Sequence, residues 1–327
     1  MRKIAITVSP RLHLGLLSMH ASAPRLNGGI GFAVDGPKAI VEAIPAARLR
    51  IDDARAAPMA AAELDQLCQA LDNFAAQLRL ETTVAIRIDG AMRTHVGMGS
   101  ATGIRLAALE ALALANDRSV ECGVLVEASG RGGTSGIGVN SYFEGGMICD
   151  LGRASDGGGF APSSRIQGAA TPLALPSVYL PAWPIVLCVP RAIATKSQEQ
   201  EAAFFARTAP LPPVASFEAS YVALFEIYAA AAEGNFTGFC AGIESMQRCA
   251  WKRAERAEYG PSLGLISTRL HEAGARCVGM SSLGPMLFCL ADPSRIAHIG
   301  EAAEKMNCEV HHVQPANTGR EVHLANA

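Results

Sequence analysis

Apolar and polar residues alternate with a period of two at residues 4–8, 39–43 and 83–89, a spacing that predicts strands with one buried face. Elsewhere the apolar residues recur every three or four positions. This predicts helices over residues 61–78, 100–116 and 120–129, the second with a broad apolar face made by Ile104, Leu106, Leu109, Leu112 and Leu114. A strand at 145–150 leads into residues 152–184, whose glycine, serine and proline content predicts an irregular crossover. Beyond Pro184 the apolar run at 185–189 predicts a buried strand, followed by amphipathic helices at 197–207, 216–233, 236–247 and 262–273. Strands at 276–280 and 286–290, a helix capped near Asp292 or Ser294 and a strand at 309–313 complete the pattern. The expectation is an α+β chain with mixed sheets, divided at Pro184 into residues 1–184 and 185–327, with no internal repeat.

Two glycine-rich segments interrupt this pattern and carry its chemistry. In GRGGTSGIGVNSYFEGG, residues 130–146, the glycines let main-chain N–H groups approach a ligand and form an anion-binding nest. Arg131 adds a guanidinium fork there, and Thr134 and Ser135 add hydroxyls, a set suited to phosphate or carboxylate oxygens. In THVGMGSATG, residues 94–103, Gly97, Gly99 and Ser100 open a helix, where free N–H donors and the positive end of the macrodipole favour an anion. Neither a dinucleotide-binding fingerprint nor a Walker A loop is present. A third turn, GMSSLGP at 279–285, reads on spacing alone as a tight hairpin.

The segment THVGMGSATG resembles the phosphate-binding loop of the GHMP kinase superfamily, which carries Gly-Leu-Gly-Ser-Ser at a helix start. Taken in order, SPRLHLGLL, HVGMGSATG, GRGGTSGIGVNSYFEGGMICDLG and GMSSLGPMLFCL resemble the segments of the β-ribofuranosylaminobenzene 5′-phosphate synthases within that superfamily. The resemblance covers most of the chain and is weakest at residues 46–81 and 151–181. It implies a GHMP-kinase-like two-domain fold with a ligand cleft between the domains, and a cytoplasmic homodimer. It also implies a reaction, the condensation of 4-aminobenzoate with phosphoribosyl pyrophosphate that releases CO2 and pyrophosphate, in methanopterin-type cofactor synthesis. In that reading His95, Gly97, Gly99, Ser100, Ala101 and Thr102 bind phosphate, as do Gly132, Gly133, Thr134 and Gly136. Ser281, Ser282 and Gly284 contact the cleft from the second domain. Arg131, Ser135, Lys196 and His13 are the candidate catalytic residues. Mg²⁺ would be held mainly by pyrophosphate oxygens and water, with Ser100 as a hydroxyl contact.

Two departures from the superfamily bear on the chemistry. Kinases that use a carboxylate base carry it two residues after the Ser-Gly of the third segment, where this chain has Gly138. Ala101 replaces the second serine of the phosphate loop. Decarboxylation replaces deprotonation at the attacking ring carbon of a benzoate, so bond formation there needs no obligatory protein base. A homoserine-kinase-like enzyme and a non-catalytic paralogue that binds a phosphorylated metabolite stay open beside the synthase.

Composition limits the remaining classes. The chain has 327 residues and a formal net charge of −2, so nothing global attracts nucleic acid, and positive potential for an anionic substrate must be focused locally. Arg11 and His13 follow the first strand, Arg25 precedes the turn expected at Gly28-Gly29, and Lys196 precedes a helix with Ser197 as N-cap. No apolar run is expected to reach the ~20 residues of a membrane span, and the opening RKIAITV enters a strand without signal-peptide architecture. Nine cysteines with no CxxC pairing argue for reduced thiols and against structural zinc. Asp150, at a strand end, is expected at the surface or as a water-mediated metal contact.

Overall fold

The computed structural model describes residues 2–155, 159–166 and 172–325. The strands expected from alternation form as Lys3–Val8, Ala39–Pro45 and Val84–Gly90, with Ile4, Ile6, Val8, Val41, Ile86 and Ile88 turned into the core. They belong to a five-stranded sheet ordered Glu321–Ala325, Lys3–Val8, Ala39–Pro45, Val84–Gly90 and Arg50–Asp53, antiparallel except for the last pair. The helix Ser100–Ala115 lies across this sheet, buried on nearly every side, with Ala61–Leu78 and Cys122–Ser129 packed against it. Its alanines keep that approach close.

A second sheet orders Arg11–Ser18, Arg25–Ala33 and Met147–Asp150 in antiparallel register. The third orders Cys277–Met280, Leu287–Leu290, Ile185–Pro190 and Cys308–Val313, again antiparallel. One face of this third sheet packs with Leu263, Leu270 and Ile299 of the helices Gly260–Glu272 and Ile296–Lys305. The other joins the main core, where Phe32 of the second sheet meets Phe239 and Phe288 edge-on at ring distances of 5.8 and 6.3 Å.

Several elements depart from the sequence expectation. Arg11–Ser18 and Arg25–Ala33 are strands covered on both sides, so they lack alternation, and Gly28-Gly29 lies within the second of them rather than in a turn. Arg50–Asp53 and Glu321–Ala325 are short edge strands, and helices also form at Ile137–Phe143 and Ala250–Ala257. In the expected crossover, residues 156–158 and 167–171 lie outside the described residues; the rest adds the short strand Arg153–Ala154 and β-bridges from Met147 to Val178 and from Asp150 to Ala174. The helix Pro213–Ala232 corrects the expectation that no apolar run reaches membrane length: it has that length and composition, with its inner face, including Ala219, Val222, Ala223 and Ile227, packed in the protein core.

The C-terminal strand crosses back over the boundary expected at Pro184. Glu321–Ala325 pairs with Lys3–Val8, and just before it the Arg320 guanidinium grips Glu110 of the helix Ser100–Ala115 through Nε (2.9 Å) and Nη2 (2.6 Å). Tyr142 donates to the same carboxylate at 2.5 Å. Glu110 is buried, so losing the guanidinium strands a charge on its only hydroxyl partner. Arg320→Leu is therefore expected to lower unfolding stability by about 2–3 kcal/mol in urea denaturation, with the double change Arg320→Leu, Glu110→Leu recovering part of that loss.

Candidate active site

The site is built where three backbone segments meet. The loop before the helix Ser100–Ala115 and the turn after Cys277–Met280 interlock: a Cβ on Gly97 would overlap the Ser281 carbonyl, and one on Gly284 would overlap the Val96 carbonyl. Ser281 Oγ donates to the Gly97 carbonyl (2.7 Å) and accepts from the main-chain N–H of His13 (3.0 Å). In return Ser282 N–H donates to the His13 carbonyl (3.0 Å), and Met286 N–H to that of Val96 (3.1 Å). Arg11 completes the joint, donating from Nη1 to the Gly97 carbonyl (2.7 Å) and from its backbone to that of Met98 (3.0 Å).

Around this joint lies a cleft lined by fourteen of the residues singled out from sequence, namely Arg11, His13, His95, Gly97, Gly99, Ser100, Ala101, Thr102, Arg131, Thr134, Ser135, Lys196, Ser282 and Gly284. Gly138 also faces it, with Thr102 beside the place a side chain would take. Five residues are placed elsewhere. Arg25 donates to the carbonyls of Leu151 (2.9 Å) and Gly152 (2.7 Å), fixing the strand end rather than reaching the cleft. Gly132, Gly133 and Gly136 shape the loop behind the lining, with the Gly133 carbonyl taken by Asn27 (3.4 Å) and the Gly136 N–H by Asp150 (2.9 Å). Ser281 is fully buried in the joint.

Among the described residues, no carboxylate contacts the two cleft arginines directly. Burial presses the Arg11 guanidinium down to about 10, against the pull of Glu201 and Glu255, and its Nε has no hydrogen-bond partner. Burial likewise lowers Arg131, opposed by Glu201 and Glu63. Among the described residues the Arg131 side chain donates no direct hydrogen bond, so its fork is available to an anion. His95 pairs with Glu63 (2.7 Å), a hydrogen bond that raises the imidazole above its usual range. Lys196 reaches Glu258 at 3.4 Å and lies over the Tyr259 ring, while Ser197 caps the following helix as expected.

Behind the cations runs a buried chain of hydrogen bonds. Asp150 is completely buried, not a surface or metal-contact residue: it accepts from the N–H groups of Gly136 (2.9 Å) and Gly152 (3.0 Å) and from Ser135 Oγ (3.2 Å). Desolvation pushes its carboxyl up to about 7. With Asp150 ionised, Ser135 spends its only proton there and accepts from Ile137 N–H (3.3 Å) and from His13 Nε2 (3.2 Å). His13 is held well below its usual value, first by burial and then by Arg11 and Lys252. With Asp150 ionised, His13 is therefore a neutral imidazole with its proton on Nε2, and Nδ1 is buried without a partner.

The opposite wall was not foreseen. Leu16, Phe205 and Leu283 line it, with the carboxylates of Glu201 and Glu255 at its edge. Glu255 accepts from Trp251 Nε1 (2.9 Å) and from the fully buried Lys252 Nζ (2.6 Å). Glu201 occupies the first turn of a helix, where acidic residues are ordinary dipole partners, so nothing in the sequence distinguished it.

No family model matches the chain. Its sequence is similar to the β-ribofuranosylphenol 5′-phosphate synthases of Methanothermobacter thermautotrophicus, at 28% identity over 309 residues covering 93% of both chains, and of Archaeoglobus fulgidus, at 27% over 294 residues covering 86% of both. Its structure is similar to homoserine kinase from Cytophaga hutchinsonii (TM-score 0.69, 16% identity, 99% of this chain and 98% of that one). Mevalonate kinase from L. major matches with a TM-score of 0.64 and 14% identity over 96% of both chains. The chain has the GHMP kinase fold. The mevalonate diphosphate decarboxylase of Staphylococcus aureus shares this GHMP fold as well (TM-score 0.67, 14% identity, 98% of both chains). In this chain the position two residues beyond Ser135-Gly136 holds only the hydrogen of Gly138, and the nearby Asp150 is committed to backbone.

Two outcomes follow for this GHMP cleft. Gly99 has φ +75°, and a Cβ there would meet the Arg11 guanidinium at 2.9 Å, so Gly99→Val is expected to cost far more affinity for pyrophosphate than Ser100→Ala, which leaves the helix N–H donors in place. Calorimetry on variants with matched circular dichroism checks this, and equal losses would shift the site from backbone to side chains. The second concerns Asp150. Unfolded, it ionises near 3.8 and folded near 7, so between these pH values the unfolded chain has shed a proton that the folded chain keeps. Its contribution to stability is fullest below pH ~4 and falls as pH rises to ~7. Asp150→Asn should flatten that slope between pH ~4 and ~7 in urea denaturation, at a constant cost of about 1–3 kcal/mol for setting an amide N–H₂ against a backbone donor.

Proposed function

We propose that this chain joins C1 of phosphoribosyl pyrophosphate to the ring of a para-substituted benzoate, 4-aminobenzoate or 4-hydroxybenzoate, with release of CO2 and pyrophosphate. The observation that carries this reading is a single cleft combining a helix-terminal backbone nest and two half-buried, weakly compensated arginines with no carboxylate at Gly138. The similarity to archaeal β-ribofuranosylphenol 5′-phosphate synthases over nearly the whole chain supports it. The product belongs, in this reading, to the synthesis of a methanopterin-type cofactor.

Pyrophosphate leaves C1 with the electron pair of the C–O bond, and an oxocarbenium-like sugar develops. Backbone N–H groups at Gly99–Ala101 and the Arg11 and Arg131 guanidinium groups stabilise charge on the leaving group. The ring carbon bearing the carboxylate forms the new bond to C1. Loss of CO2 then returns its electron pair to the ring and restores aromaticity. Among the described residues no group of three His, Cys, Asp or Glu side chains is arranged to hold a metal, which suits Mg²⁺ carried in on pyrophosphate, with the Ser100 hydroxyl as its protein contact. That ion would neutralise part of the leaving-group charge. A kinase that relies on a carboxylate base for the attacking hydroxyl would find none at Gly138, and Asp150 is bound to backbone; a kinase that works without such a base, as homoserine kinases do, is not affected by this.

With Mg²⁺ and phosphoribosyl pyrophosphate, the purified protein is expected to release labelled CO2 from carboxyl-labelled 4-aminobenzoate or 4-hydroxybenzoate. ATP consumption with homoserine and no CO2 would establish the kinase instead. Arg131→Ala should weaken phosphoribosyl pyrophosphate binding about tenfold or more, the loss of about 1.5–3 kcal/mol for a charge-assisted contact.

A further inference from the structure

The cleft has two chemically different walls. One is cationic and rich in N–H donors, already accounted for by phosphate and pyrophosphate. On the other, Leu16, Phe205 and Leu283 belong to one apolar cluster with Phe204 and Trp251, and each of the three faces the cleft. Apolar side chains offer nothing to the phosphates of a sugar phosphate, but the Phe205 ring flanked by two leucines matches an aromatic ring.

The carboxylates bordering this wall are not equivalent. Glu255 has one oxygen on Trp251 Nε1 and the other on Lys252 Nζ, so it is saturated and its charge is matched by a buried ammonium. Glu201 lies one helical turn before Phe205 on the helix Gln198–Thr208, hence on the same side of it. Among the described residues its carboxylate accepts no direct hydrogen bond, although Arg11, His95 and Arg131 act on it from farther away. A cleft-facing acceptor beside an apolar wall lacks only a donor.

We propose that Leu16, Phe205 and Leu283 form the aryl subsite and that Glu201 accepts the proton of the para hydroxyl or amino group of the bound benzoate. This rests on the synthase reading and adds to it the residue that selects the acceptor and drives the ring. As the ring carbon bonds to C1 and pyrophosphate departs, the para O–H or N–H bond yields its proton to Glu201, and the electron pair released on oxygen or nitrogen enters the ring. When the bond to the carboxylate breaks and CO2 leaves, its electron pair rearomatises the ring, and the proton returns from Glu201 to the para atom. Atoms and charge balance with no further reactant.

The test combines turnover with direct binding. In Glu201→Gln, which keeps size and fold, kcat should fall 10²-fold or more and KM for 4-hydroxybenzoate should rise about tenfold, while KM for phosphoribosyl pyrophosphate stays within about threefold. By calorimetry with Mg²⁺-pyrophosphate present, the wild type should prefer 4-hydroxybenzoate to unsubstituted benzoate, and Glu201→Gln should lose most of that preference. Phe205→Leu should weaken both compounds alike. A wild type that shows no para preference, a variant that keeps it, or a variant that changes only the Mg²⁺ requirement overturns the role of Glu201. Para-selective binding that depends on Glu201, without CO2 release from the wild type, would instead leave the subsite standing and remove the synthase reading.

Discussion

The site depends on one close approach of backbone to backbone, that of Val96-Gly97 against Ser281 and Gly284. No side chain fits between them, and a single hydroxyl, that of Ser281, ties Gly97 to the first cleft strand at His13. Segments from the beginning, middle and end of the chain are thus fixed to within hydrogen-bond tolerance of one another. The phosphate loop is therefore not a flexible glycine linker: its carbonyls are already occupied by Arg11, Ser281 and Met286, which leaves its N–H groups as the unspent polarity. Preorganisation of this kind is what makes dipoles effective against charge that appears only in a transition state.

That rigidity also sets the electrostatics. A chain with a net charge of −2 concentrates Arg11, Arg131 and the buried Lys252 near one cleft; Glu255 pairs directly with Lys252, while Glu201 and Glu255 act on the two arginines from a distance. Burial makes each cation reluctant to stay charged, so a polyanionic ligand relieves the desolvation that the fold imposes. The neutral, Nε2-protonated His13 and the carboxyl of Asp150 stand behind this field as a hydrogen-bonded support for Ser135.

Much of this was legible in the sequence where local physics decides the outcome. Period-two strands, the alanine-rich helix and the glycines of the phosphate loop appear where expected, because burial on one face and φ > 0 leave marks in single segments. What escaped has little local signature. The strands Arg11–Ser18 and Arg25–Ala33 are covered on both sides and so do not alternate, and Arg25 looked like a cleft cation although it is spent on two carbonyls. Asp150 read as a surface residue because no pattern announces that a strand end will be sealed by Gly136 and Gly152. Glu201 and the apolar wall beside it are made by tertiary neighbours drawn from three distant segments, which periodicity cannot register.

The pairing of Lys3–Val8 with Glu321–Ala325 has a consequence for synthesis in the cell. The strand Lys3–Val8 leaves the ribosome well before Glu321–Ala325, with which its outer edge pairs, Lys3 opposite Ala325. Until then its free N–H and C=O groups on that side face solvent as an open edge, the kind of surface on which nascent chains mispair. The Arg320 clamp on Glu110 arrives at the same late moment, so sealing of the sheet and anchoring of the strand that seals it are coupled in time as well as in space. Closure of this sheet therefore waits on Glu321–Ala325, and until that strand is made the Lys3–Val8 edge stays one strand short.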